Sequence, residues 1–350
     1  MPTNIKIGLS ELSLANFAMV MATGIISVAC QNFGLHFLAH LLFVLNNILY
    51  VILCALTIGR LFKYPNRLWA DLSNHATGLS ALTFVAATNV LGTQYIIMYQ
   101  NETMGLIFWC IGVIFWLLIT YLVFTLFIIK EHKPTLPNGI NGAWLLAVVA
   151  TQSVAILSTL IATYSMPGIR LELNFIAFSM WLWGGMQYIW MMALIFYRYN
   201  FFQMDPSELT PPYWINMGAM AISTLGGSLL IEHASHAPYL HSVLPFIKGF
   251  TIFYWATATW WIPMLVILGF WRHIYKRFPL RYDPLFWGAV FPLGMYTACT
   301  QHLNQVMQFN FLDGIAHTML FIALIAWSLT FFGLCRKSLR YLLTTRSPHH

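Results

Sequence analysis

Charge in this chain is confined to the breaks between long apolar runs. Splitting the sequence at its charged or Pro/Asn/Gly-rich stretches leaves ten runs, near 14–31, 35–60, 75–93, 104–130, 141–163, 172–198, 213–232, 243–271, 284–306 and 311–335. Each is close to the roughly 20 residues that cross a bilayer as a helix. With 59% hydrophobic residues, 8% charged and a mean hydropathy of +0.71, a soluble fold would have too little polar surface to cover itself. The expectation is an all-α polytopic membrane protein, residues 14–335 forming one transmembrane domain between a cytoplasmic N-terminus, 1–13, and a cytoplasmic tail, 336–350. The mixed N-terminus MPTNIKIGLSELS carries no cleavable-signal pattern, so the first run should persist as a helix.

The basic residues test this count. Alternating the ten runs across a membrane puts all but Arg170 and Lys248 of the 17 Lys and Arg on one side. The positive-inside rule makes that side the cytoplasm of an inner (plasma) membrane and leaves both termini there. A net charge of +7 distributed in this way sets topology and implies no nucleic-acid partner. Cys30, Cys54, Cys110, Cys299 and Cys335 include no C-x-x-C pair and read as small buried hydrophobes. No metal, cofactor or enzymatic activity is expected.

Odd-numbered runs begin near residues 14, 75, 141, 213 and 284, a spacing that describes five helical hairpins. Even runs such as FWCIGVIFWLLITYLVFTLFII are bulky and apolar on every face, as lipid-facing helices are. Odd runs instead carry Thr23, Gly24 and Ser27; Thr83, Thr88 and Asn89; Thr151, Gln152 and Ser153; Ser223, Thr224, Gly226 and Gly227; Thr297, Thr300 and Gln301. Hydroxyls at these positions serve either interhelical hydrogen bonds in a solid core or a lined passage. The repetition favours five inner helices around a central pore lined by Gly24, Ser27, Thr83, Thr88, Thr151, Ser153, Ser223, Thr224, Gly288, Gly294 and Ala298.

Start signals precede each odd run: Ser10 or Ser13, Ser73 and Asn74, Asn138 before Asn141, Thr210-Pro211 and Asp283-Pro284. Five helix N-termini would then face one mouth, each with about half a positive elementary charge. The odd runs contain no Asp, Glu, Lys or Arg except Glu232. A neutral, mildly positive tube passes small anions without holding them tightly.

The ninth run places one bulky ring, Phe291, on a face shared with Gly288, Gly294 and Ala298, immediately before Pro292. This is either a plug on a smooth strip or ordinary packing between closely approaching helices. His75 and His302 fall near opposite ends of the third and ninth runs, where an imidazole either relays protons and senses pH or bonds between helices. In the EHASH segment, Glu232, His233 and His236 have a spacing that is weak support for a metal.

FAMVMATGIIS (Phe17–Ser27), the Asn141-Gly142-Ala143-Trp144 opening with TQSVAILSTL behind it, and FWGAVFPLGMYT (Phe286–Thr297) resemble the tellurite-resistance/dicarboxylate transporter family. That family includes bacterial tellurite-resistance channel homologues, plant guard-cell slow anion channels, yeast malate permeases and sulfite pumps. The resemblance covers about residues 14–335. It implies ten transmembrane helices in five hairpins, a central pore made by the odd helices, a homotrimer, and a pore-blocking Phe on the ninth helix, which Phe291 with Pro292 matches. A kink at Pro292 is expected to let that ring swing. The short tails depart from the plant channels and speak against kinase gating. The expected function is an anion-selective channel or channel-like transporter for C4-dicarboxylate, sulfite, chloride or nitrate. A proton-coupled carrier with alternating access is the alternative. A haem-binding redox protein is more remote, since His75 and His302 fall at opposite membrane faces.

Overall fold

The computed structural model describes residues 8–345, apart from the side chains of His236 and of residues 341–345; Lys6 and Arg346 lie outside it. Among the described residues the structure is helical and contains no strand. Ten long helices carry it: α1 (Ala18–Asn32), α2 (His36–Lys63), α3 (Leu82–Tyr99), α4 (Glu102–Ile129), α5 (Leu146–Tyr164), α6 (Pro167–Phe201), α7 (Ile215–Glu232), α8 (Leu244–Phe270), α9 (Trp287–Met307) and α10 (Asp313–Thr345). Eight, counted with their flanking turns, are long and apolar enough to cross a membrane. The other two, α6 and α9, have the length, at 35 and 21 residues, but Trp, Gly and amide side chains lower their hydropathy.

The helices fall into two sets by burial. In α1, α3, α5 and α7, 78–100% of the most apolar stretch is buried, against 22–28% in α2, α4, α8 and α10. From Trp287 to Asn304, α9 is likewise almost wholly buried. The inner helices pack in a closed cycle, α1 on α3, α3 on α5, α5 on α7, α7 on α9 and α9 on α1. Each outer helix packs on the inner helix it follows, and α2, α4, α6 and α10 also reach the next inner helix round the ring. The alternation of small and bulky runs in the sequence is thus a radial order: small side chains let five backbones approach, while bulky ones face outward.

Turn chemistry sets the helix ends. Gly34, at φ +77°, takes the left-handed conformation that lets Leu35 N–H bond to the Cys30 carbonyl at 2.9 Å, closing α1 onto α2. Gln100 (φ 52°) and Gln308 (φ 59°) end α3 and α9 in the same way. As a result α3 runs to Tyr99, beyond the expected end near 93, because Gln94 is bonded to Asn46 within the bundle (2.7 Å) and does not mark a solvated end. At the end of the bundle rich in Lys and Arg, a short helix, Pro65–Leu72, is held by Arg60, whose guanidinium lies 2.6 Å from Asp71.

Candidate functional site

Every inner helix starts with a 3-10 turn: Leu14–Phe17, Gly78–Ala81, Gly142–Leu145, Pro211–Trp214 and Pro284–Phe286. These five turns also touch in a closed cycle, so five N-termini stand together at the basic end. Ser13, Asn141 and Asp283 accept bonds from the backbone N–H two residues on, at 3.2, 2.8 and 2.8 Å. Asn74 accepts from Ala76 N–H, and Thr210 makes no side-chain cap. Arg198 braces this end. Buried at the end of α6, it donates to the Ile140 carbonyl at 3.0 Å and to the Tyr213 hydroxyl, and lies 3.4 Å from Glu208.

Many of the hydroxyls of the inner helices are engaged with neighbouring helices. In five successive places an aromatic donor of an outer helix meets the next inner helix: Tyr50 with Thr88 (2.9 Å), Trp116 with Thr151 (2.9 Å), Trp181 with the Ser223 carbonyl (2.8 Å), Trp255 with Thr300 (3.0 Å) and Trp327 with Thr23 (3.0 Å). Thr151 also lies 2.9 Å from the Gln187 amide, and Ser153 accepts from Asn89 of α3 at 2.9 Å. Ser27 donates to the Ala39 carbonyl of α2, and Thr83 reaches the Leu14 carbonyl. The hydroxyls of Ser223 and Thr224 bond within their own helix. Interhelical bonding, the other reading of the sequence, accounts for most of these positions.

The glycines likewise mark close approaches. A Cβ on Gly24 would stand 2.5 Å from Val90 and 2.9 Å from Asn46, and one on Gly294 would stand 2.7 Å from Ile26. Gly288 faces Pro212. These three positions, expected on a lumen, therefore lie at helix contacts. Gly218 of α7 has no side chain where Pro292 packs, since a Cβ there would be 2.7 Å from Pro292 Cγ. α9 runs through Pro292 as continuous helix, and Phe291 is 1% exposed.

At the end opposite the basic one, a cavity of about 370 Å3 is bounded by all five inner helices. Its wall takes apolar side chains from each, among them Ile25, Ile96, Ile156, Leu225 and Ala298. Its rim does the same with polar groups: Asn32, Gln100, Tyr164, Glu232 and His302. Of the residues singled out from the sequence, Ala298, His302, Glu232 and His233 border it. Glu232 Oε2 lies 3.0 Å from His302 Nε2 and 3.8 Å from His233 Nδ1. The side chain of His236 lies outside the described residues, among which no three His, Cys, Asp or Glu are grouped to hold a metal. His75 sits at the basic end, stacked on Phe127 with ring centroids 4.2 Å apart. Burial first, then the charges of Lys130 and Lys133, hold its pKa below the ordinary 6.5.

A closed ring of buried helices inside a lipid-compatible shell, with a cavity reached from all five, is the architecture of a multi-pass membrane transport protein. The chain matches the voltage-dependent anion channel family over residues 11–335 and belongs to that family, one of anion transporters and channels. An uncharacterized transporter of Methanocaldococcus jannaschii is 27% identical over 92% of this chain and 93% of its own length. A sulfite efflux pump of Arthroderma benhamiae is 25% identical over 95% and 93%. A malic acid transport protein of Schizosaccharomyces pombe is 22% identical over 92% and 77%.

Proposed function

We propose that the ten helices span the membrane as five hairpins in a single domain, and that the inner five enclose a central pore for small anions, gated by Phe291. Sulfite and malate are the favoured cargo classes by likeness to relatives bearing those names. Chloride and nitrate are the smaller probes of the same path. The basic end faces the cytoplasm of the plasma membrane, by the positive-inside rule. The protein assembles as a homotrimer with one pore in each subunit.

The observation that carries this reading is a stripe on α9. Ala298, His302 and Gln305 line the cavity. Phe291 is seven residues before Ala298, which brings it back to the same helix face two turns deeper. Five helices in mutual contact, with axes about 8–10 Å apart, leave a central gap of roughly 6–7 Å, about the width of one aromatic ring. A single Phe at that depth suffices to fill it. Pro292 has no N–H to give the Gly288 carbonyl, which leaves the backbone beside Phe291 less firmly tied than a regular turn.

The deeper wall of the cavity is largely apolar and, among the described residues, its one carboxylate, Glu232, sits at the rim, so selectivity against cations comes from the scarcity of acidic groups along the path and from the five N-termini at the basic end. In reconstituted membranes Phe291→Ala should raise anion current while cation current stays negligible. An unchanged current in well-folded Phe291→Ala protein would remove the gate assignment.

A further inference from the structure

Two largely apolar clefts flank the start of α9 at the basic end of the bundle. The larger, of about 300 Å3, lies along the contact of α9 with α10, between Ala289, Val290 and Leu293 of the one and Ala326, Leu329 and Thr330 of the other. The smaller, of about 240 Å3, lies on the α8 side of α9, where Leu265 and Leu268 help to line it. Leu280, Phe286 and Ala289 border both, so the two clefts form one branched space. Along α10, Ala326 lies ten residues before Arg336, an axial run of about 15 Å. That is half of a hydrocarbon core of roughly 30 Å, the depth of one leaflet.

The entrance to this space is cationic. Arg281 borders the larger cleft and Arg272 the smaller. Lys276 and Arg277 stand on the segment between them, and Arg336 and Lys337 near the end of α10, with the Lys337 ammonium 5.9 Å from the ring of Tyr282. None of these six makes an ion pair among the described residues. Asp283 acts on Arg272 and Asp205 on Lys276 through charge. Six cations thus meet two carboxylates, and residues 341–350 add no Asp or Glu. Arg272 is already bound to the Pro206 carbonyl at 2.8 Å, whereas Arg281 has no hydrogen bond among the described residues. Ile274, Tyr275 and Leu280, 64–75% exposed, are interleaved with the cations. Exposed apolar and aromatic side chains mixed with Lys and Arg suit the boundary between headgroups and hydrocarbon.

A cluster of about four to eight basic residues beside the end of a spanning helix attracts anionic lipid. Here the cluster stands over a branched apolar space one leaflet deep. We propose that the two clefts hold the acyl chains of one anionic phospholipid from the leaflet at the basic end, with its phosphate met by Arg281 and Lys337. The site lies outside the ring of inner helices and does not depend on what the central path carries. A chain in the larger cleft fills the space behind the turn of α9 that bears Phe291, against Val290 and Leu293.

The test uses the full-length protein in a neutral detergent, with phosphatidylglycerol and phosphatidylcholine of identical chains as probes and native mass spectrometry to count the lipid retained. Wild type should hold one phosphatidylglycerol in preference to phosphatidylcholine. Arg281→Gln combined with Lys337→Gln should lower the affinity for phosphatidylglycerol roughly fivefold for each charge removed, toward that for phosphatidylcholine. Leu329→Trp, at a position 68% exposed on α10, should fill the larger cleft and weaken the binding of both lipids. Gel filtration confirms that each variant is folded. Equal retention of the two lipids by wild type, or unchanged phosphatidylglycerol affinity in the double variant, overturns the site. Unchanged retention in Leu329→Trp, or displacement of the lipid by an equal concentration of glycerol phosphate, also overturns it, because the cations would then act without the cleft. An oligomer that dissociates in Leu329→Trp overturns it by making the cleft a subunit contact. None of these measurements involves ion flux, so their failure leaves the anion route standing.

Discussion

The indole N–H of Trp327, on the last helix, donates a 3.0 Å hydrogen bond to the Thr23 hydroxyl of the first, across 304 residues of sequence. It is the fifth of the aromatic links between outer and inner helices and the one that ties the two ends of the ring together. Trp327→Phe keeps a ring to stack on Phe331, whose centroid is 4.9 Å away, but deletes the donor. The expected cost is about 0.5–1.5 kcal/mol, as for a buried hydrogen bond. Thermal unfolding in detergent should show a melting point lower by roughly 1–3 °C.

Side-chain size at position 291 should order the currents. On the proposed gating by Phe291, Ala would leave the largest opening, Leu a smaller one, and Phe the block. Single-channel or liposome flux measurements that ranked Leu at or below Phe would separate shape from volume as the blocking property.

Gly24 and Ala298 make opposite predictions. Gly24→Ala must displace Val90 or break the Asn46–Gln94 bond, and overpacking of this kind costs about 1–3 kcal/mol. It should lower the melting point without changing anion preference. Ala298→Leu adds bulk to the cavity wall, so it should reduce flux in a Phe291→Ala background and leave stability nearly unchanged.

His75 gives a pH signature at the basic end. Its pKa in the folded protein lies below the ordinary 6.5, chiefly through burial and then through Lys130 and Lys133. The unfolded chain therefore binds this proton more readily. The stability His75 contributes is complete above pH 6.5 and is lost as pH falls below that value toward the folded pKa. Melting points recorded from pH 7.5 to 5 should decline less steeply for His75→Gln than for wild type.

The radial sorting of helices was legible from composition, because bulky apolar runs and small hydroxylated runs alternate along the chain. The direction in which each hydroxyl points was not. Thr88 and Thr151 stand on helices that are buried on every side, so no polar stripe in the sequence separates a face turned to the axis from one turned to the outer ring. Their partners, Tyr50 and Trp116, are polar at one atom only, and hydropathy counts them with the membrane-facing residues. The rim was half legible: His302 stood out as an imidazole near a helix end, but its pairing with Glu232, 70 positions earlier, is a product of α7 lying beside α9.

Closure of the ring by α9 against α1 has a consequence for biosynthesis. While the ribosome is still making this chain, the wall has a gap that lipid fills, and it stays unsealed until residues 287–307 have been inserted. A half-made molecule is a curved sheet of helices, and the faces of α1 and α9 that meet in the finished ring stay apart until the ninth helix is in place.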